Sequence, residues 1–106
     1  YAAAWHNRGK AYYNKRDYDE AIKDYSEAIK LKPDDVDAWN NRGGAYINKG
    51  DYDQAIKDFS EAIKLDPAAA VAWNSRGYSY LKKTDYDAAI TPQAMRPPEL
   101  PVGWVR

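Results

Sequence analysis

Residues 17–33 read DYDEAIKDYSEAIKLKP and residues 51–67 read DYDQAIKDFSEAIKLDP; at residue 85 the phrase begins again as DYDAAI and then passes into TPQAMRPPELPVGWVR. Landmarks outside the phrase keep the same step. Trp5, Trp39 and Trp73 recur every 34 residues, as do Gly9, Gly43 and Gly77, Tyr12, Tyr46 and Tyr80, and Ala21, Ala55 and Ala89. Pro33 and Pro67 are spaced alike. The first two copies are identical at roughly two-thirds of positions, and a fixed period of this length marks a stacked array of supersecondary units.

Each copy holds two helical patterns. In the second copy, Trp39, Gly43, Tyr46 and Ile47 fall at three- and four-residue steps, and Tyr52, Ala55, Ile56, Phe59, Ala62 and Ile63 form another such stripe. Between them Asn48-Lys49-Gly50-Asp51 reads as a turn. Gly50 can close the first helix in the left-handed conformation, and Asp51 with Gln54 offers a capping box for the second. Asp17 and Glu20 repeat that pair. Asp85 keeps the cap but has Ala88 in place of the partner, so the third copy reads as a complete first helix followed by a capped stub. Pro33 and Pro67 stop the second helices. Gly9 is expected opposite Ala21, and Tyr12, Tyr25, Tyr46 and Phe59 are expected to fill the gaps between helices. Asp19 with Lys23, Lys23 with Glu27, and Asp53 with Lys57 are spaced for ion pairs along one helix.

These landmarks carry a resemblance: Trp5, Gly9, Tyr12, Ala21, Tyr25, Ala28 and Pro33, then Trp39, Gly43, Tyr46, Ala55, Phe59, Ala62 and Pro67, resemble the tetratricopeptide repeat family. The family's usual leucine before the glycine is replaced by Arg8, Arg42 and Arg76. The resemblance covers about residues 2–90. It implies an all-α fold, an α-solenoid of helix-turn-helix hairpins in a right-handed superhelix. Two full units (2–35 and 36–69) precede an incomplete third (70–90), and a Pro-rich tail occupies 91–106.

Composition narrows the functional class. Lys plus Arg equals Asp plus Glu at 16 each, a balance that attracts neither nucleic acid nor an acidic membrane. There is no cysteine, so disulfide and thiolate chemistry are excluded. No secretory signal or membrane-spanning run is visible, which favours a cytoplasmic setting. The chain begins at Tyr1 and reads as an excised piece of a longer protein.

No catalytic constellation is found, and an enzyme is not expected. His6 is the lone histidine and lacks partner ligands, so no metal or other cofactor is expected. The pairs Asp17/Asp19, Asp51/Asp53 and Asp85/Asp87 recur at hairpin turns and read as caps rather than ligands. The periodic tryptophans read as structural rather than as stacking platforms for bases.

In the family, the first helix of each unit lines a concave side that holds an extended peptide or partner segment. The matching positions here are His6, Asn7, Lys10, Tyr13 and Asn14, then Asn40, Asn41, Gly44, Ile47 and Asn48, then Val71, Asn74, Ser75, Tyr78, Leu81 and Lys82. Asparagine dominates. An amide both donates and accepts, so it can pair with a peptide backbone whatever the side chains. Asparagine rows in the O-GlcNAc transferase repeats grip peptides in this way. A subfamily instead clamps a C-terminal carboxylate with lysines, asparagines and an arginine. Of that set Asn41 is present, His6 and Lys10 hold the first-copy places, and Val71 and Ser75 replace the cations of the third.

The resemblance therefore implies a protein- or peptide-binding adaptor module. The alternative is self-assembly: the broken third copy leaves Trp73, Gly77, Tyr80 and Ala89 without a covering helix, and residues 85–106 offer a homo-oligomer contact. The tail, with Pro92, Pro97, Pro98 and Pro101, reads either as an extended linker or as a segment foreign to the repeat. Its Leu100, Val102, Trp104 and Val105 are candidates to dock on the uncovered face.

Overall fold

A computed structural model describes residues 1–90, and the expectations for the tail, 91–106, lie outside the described residues. Five helices follow in order: α1 (Ala2–Asn14), α2 (Tyr18–Leu31), α3 (Val36–Lys49), α4 (Tyr52–Leu65) and α5 (Ala70–Ile90). α1 pairs with α2 and α3 with α4, while α2 packs on α3 and α4 on α5. α3 also touches both α1 and α5, which puts the first helices of successive hairpins along one side. The result is the all-α hairpin solenoid expected from the period.

The turns explain where helices end. Gly50 closes α3 at φ 80°, and Arg16 takes the same left-handed conformation at φ 65° after α1. Asp17 then accepts from the Glu20 N–H at 3.4 Å, and Asp51 from the Gln54 N–H at 3.3 Å. These bonds satisfy donors that a helix start leaves unpaired. In the third copy the turn position is Thr84. A β-branched side chain resists positive φ, and the chain stays helical: α5 runs unbroken to Ile90, and Thr84 Oγ1 donates to the Tyr80 carbonyl at 2.9 Å. The expected turn and Asp85 cap are thus corrected. The third copy is one long helix.

Within each hairpin the helices meet at a glycine. A Cβ added at Gly9 would lie 2.8 Å from the Tyr25 ring, and one at Gly43 2.8 Å from the Phe59 ring. The partner of Gly9 is therefore Tyr25, not Ala21, although Ala21 is fully buried. Phe59, Ala55, Ala62, Ile63 and Ala72 form a buried cluster, with Trp39, Tyr46 and Ile47 packed against it. Burying a side chain such as Phe59 contributes roughly 2–3 kcal/mol.

The arginines that replace leucine have a buried purpose that the sequence did not disclose. Arg8 donates to both oxygens of Asp24 at 2.7 and 2.9 Å, and Arg42 to both of Asp58 at 2.8 and 2.7 Å. Asp24 and Asp58 are almost wholly buried. Arg42 reaches further, donating to Ser26 Oγ of the previous hairpin at 3.0 Å, and its guanidinium lies 5.1 Å from the Trp39 ring centroid. Trp39 and Trp73 in turn donate their indole N–H to the carbonyls of Pro33 and Pro67, both at 2.8 Å, fixing the loops between hairpins.

Burial pushes the Asp58 carboxyl above the usual carboxylate range, and the two Arg42 bonds only partly offset it. A pair of this kind fixes register more than it adds net stability, whereas losing one partner strands the other.

The surface ion pairs also differ from expectation. Lys23 pairs with Glu20, Lys30 with Glu27 and Lys64 with Glu61, each three residues apart. Asp19 and Asp53 point to the next copy instead, pairing with Lys49 and Lys83. Each aspartate stands at the start of a second helix, where a lysine stem reaches it from the last turn of α3 or from within α5. These exposed pairs contribute little individually.

Asp58→Ala is expected to lower unfolding free energy by about 3 kcal/mol, and adding Arg42→Met is expected to recover more than half of the loss. Urea denaturation of the two variants measures this; a double variant no more stable than the single one contradicts it.

Candidate functional site

A cavity of ≈ 330 Å³ opens on the side shared by α1, α3 and α5. α1 contributes Lys10, Tyr13 and Asn14, α3 contributes Asn40, Asn41 and Gly44, and α5 contributes Val71 and Ser75. Tyr25 and Phe59 reach it from the second helices. Gly44 leaves that wall without a side chain; a Cβ there would stand at ordinary contact distance, 3.6 Å, from the Tyr13 hydroxyl. Lys10 is the one charged residue among those lining it.

Bonds between copies hold the walls. Asn41 Nδ2 donates to His6 Nε2 at 2.7 Å, which leaves the ring proton of neutral His6 on Nδ1, 3.5 Å from Asp35 Oδ2. The His6 ring also meets Tyr25 edge-on, with centroids 5.7 Å apart. About two helical turns further on, Asn48 Nδ2 donates to the Tyr13 hydroxyl at 2.8 Å and to the Gly44 carbonyl at 2.9 Å. Both amide N–H groups of Asn48 and one of Asn41 are therefore engaged within the protein. Asn40 Oδ1 is buried and has no hydrogen-bond partner among the described residues. Burial pushes the Tyr25 phenol up to about 12.

The candidate residues divide into three groups. Lys10, Tyr13, Asn14, Asn40 and Asn41 come together at the cavity, and His6 and Asn48 brace it through Asn41 and Tyr13. Asn7, Asn74, Tyr78 and Leu81 are exposed beyond its lining, with the Lys82 ammonium 5.7 Å from the Tyr78 ring centroid. Ile47 packs against the core cluster. Tyr25 and Phe59 were read from sequence only as gap fillers. Their position sixteen residues after Gly9 and Gly43 was the available signal, since a ring lying over a glycine backbone extends toward the opposite side. Among the described residues, no group of three or more His, Asp or Glu side chains is placed to hold a metal ion, and no helix is long and apolar enough to cross a membrane.

Comparison with known proteins follows the same lines. A family model described as TPR repeat matches residues 9–50, and one described as Tetratricopeptide repeat matches residues 36–68. Among solved structures, the TPR2B domain of yeast Sti1 in its pHsp70 complex is 31% identical, with a TM-score of 0.76 over 90% of this chain and 77% of that one. The second TPR of Spaghetti (RPAP3), bound to the HSP90 peptide SRMEEVD, is 26% identical, with a TM-score of 0.77 over 89% of this chain and 85% of that one. The Arabidopsis OM64 TPR domain is 26% identical, with a TM-score of 0.74 over 89% and 79%. No curated protein sequence matches the chain at a significant level.

Proposed function

Because the chain belongs to the tetratricopeptide repeat family, we propose that it is a peptide-binding adaptor module rather than an enzyme, and that it grips an extended segment along the side shared by α1, α3 and α5. The observation that carries this reading is the cavity itself, walled by amides and floored by the Tyr25 and Phe59 rings. Its chemistry suits a peptide backbone. Asn14, Asn40 and the side-chain oxygens of Asn41 and Asn48 offer hydrogen bonds that require no particular side chain. Because walls from two copies are bonded to each other, little ordering is left for the moment of binding, which favours affinity.

The likeness to the Sti1 and RPAP3 domains supports peptide binding in general. The lining argues against their kind of ligand in particular. A C-terminal carboxylate needs converging cations, and here Lys10 faces Val71 and Ser75 across the cavity. We read the ligand as an internal extended segment of a partner protein. Self-assembly through α5 is the second reading, favoured by the exposure of Trp73 and Tyr80.

Screening short extended peptides, acetylated and amidated at their ends, is expected to yield bound members that weaken about fivefold with Asn41→Ala; no bound member overturns the reading. The peptide SRMEEVD is expected to bind as the free acid no more than about threefold tighter than as the amide, whereas the variant Val71→Lys with Ser75→Arg gains about tenfold preference for the acid. A tenfold loss on amidation with the unaltered protein contradicts the assignment.

A further inference from the structure

The two complete hairpins show what the third lacks. In each, a first helix presents tryptophan, arginine, glycine and tyrosine, and the second helix answers at a fixed offset of sixteen residues: Asp24 for Arg8, Asp58 for Arg42. One residue later an aromatic answers the glycine, Tyr25 for Gly9 and Phe59 for Gly43. On α5 the presenting face is intact as Trp73, Arg76, Gly77 and Tyr80, but the answering positions are Pro92 and Gln93. Trp73 is 47% and Tyr80 51% exposed, and a Cβ added at Gly77 would meet nothing within 4 Å. Arg76 already sits as Arg42 does: it donates to Ser60 Oγ at 3.1 Å and lies 4.8 Å from the Trp73 ring centroid. Among the described residues no carboxylate meets it.

We propose that this face of α5 is a docking site for a helix of a partner protein that carries an acidic residue followed at once by an aromatic, with alanines three before and four after the acid. The chain's own α2 and α4 define that pattern: Ala21, Asp24, Tyr25 and Ala28, and Ala55, Asp58, Phe59 and Ala62. The carboxylate would take the Nε and Nη2 donors of Arg76, the edge left free by Ser60, as Asp58 does on Arg42, a bidentate geometry favoured for arginine. The aromatic would lie on Gly77, and the alanines would permit close approach.

Charge and register select this occupant over two others. A second copy has its matching acid–aromatic pairs buried in its own hairpins. Its remaining helical candidate, Asp85-Tyr86, has Lys82 where an alanine is required, and Tyr86 already packs on Tyr52 with ring centroids 5.5 Å apart. The tail has one carboxylate, Glu99, flanked by Pro98 and Leu100, so no acid–aromatic pair occurs in it.

The probe is a synthetic peptide with the α4 sequence, YDQAIKDFSEAIKL, acetylated and amidated and titrated into the ¹⁵N-labelled full chain. We expect saturable shifts of the Gly77 amide and the Trp73 indole. Changing the peptide's second-helix acid, the equivalent of Asp58, to asparagine should weaken binding by about tenfold on the unaltered protein and by under about twofold on Arg76→Gln. Absence of saturable shifts at Gly77 and Trp73 overturns the proposal. So does an equal loss on both proteins, which would mean that the acid does not meet Arg76. A dimer in sedimentation whose dilution moves the Gly77 amide assigns the face to a second copy and overturns it as well.

Discussion

The absence of a side chain at Gly9 and Gly43 is the constraint from which the rest follows. With a ring atom 2.8 Å from where a Cβ would stand, any larger residue forces the two helices of the hairpin apart. Close approach at that point brings the neighbouring Arg8 and Arg42 within bidentate reach of Asp24 and Asp58. It also pushes the Tyr25 and Phe59 rings through toward the opposite side, where they become the floor of the cavity. One backbone contact thus sets the hairpin, its buried charge pair and the apolar part of the candidate groove.

Between hairpins, apolar contact such as Ala72 against the α4 cluster is accompanied by polar links that repeat with the sequence. Arg42 and Arg76 reach back to Ser26 and Ser60, Lys49 and Lys83 to Asp19 and Asp53. On the cavity side the bonds are less regular, since His6 with Asn41 and Tyr13 with Asn48 join the first two copies only. The wall between α1 and α3 is therefore braced, while α5 contributes Val71 and Ser75 without an equivalent bond among the described residues. That asymmetry places the better-defined half of the groove at the first two copies.

Most of the fold was legible because its determinants are local or periodic. The stripes, the Gly50 turn, the Asp17 and Asp51 caps and the proline stops each depend on a few adjacent residues. What escaped reading depended on competition or on distance. Asp85 looks like its two counterparts, yet Thr84 before it cannot easily take the turn's conformation, and helix continuation wins. Arg8 and Arg42 looked like substitutions on a leucine position because their aspartates lie sixteen residues away, on a face where a charge is not expected. Three of the asparagines lie on the cavity that α1, α3 and α5 share, but which amides are already spent within the protein is set by the stagger of neighbouring helices, which no single copy encodes.

The same substitution made at equivalent glycines tests the central account most directly. Gly43→Ala inserts a methyl under Phe59 and is expected to lower the unfolding free energy by about 1–2 kcal/mol, overpacking outweighing the gain in helix propensity. Gly77→Ala meets open space on an exposed helix and is expected to raise it by roughly 0.5–1 kcal/mol. Opposite signs in urea unfolding of the two variants are the predicted result. Destabilisation at both positions would mean that the α5 face is covered as the others are, and stabilisation at both would mean that the glycine contact does not set the hairpin.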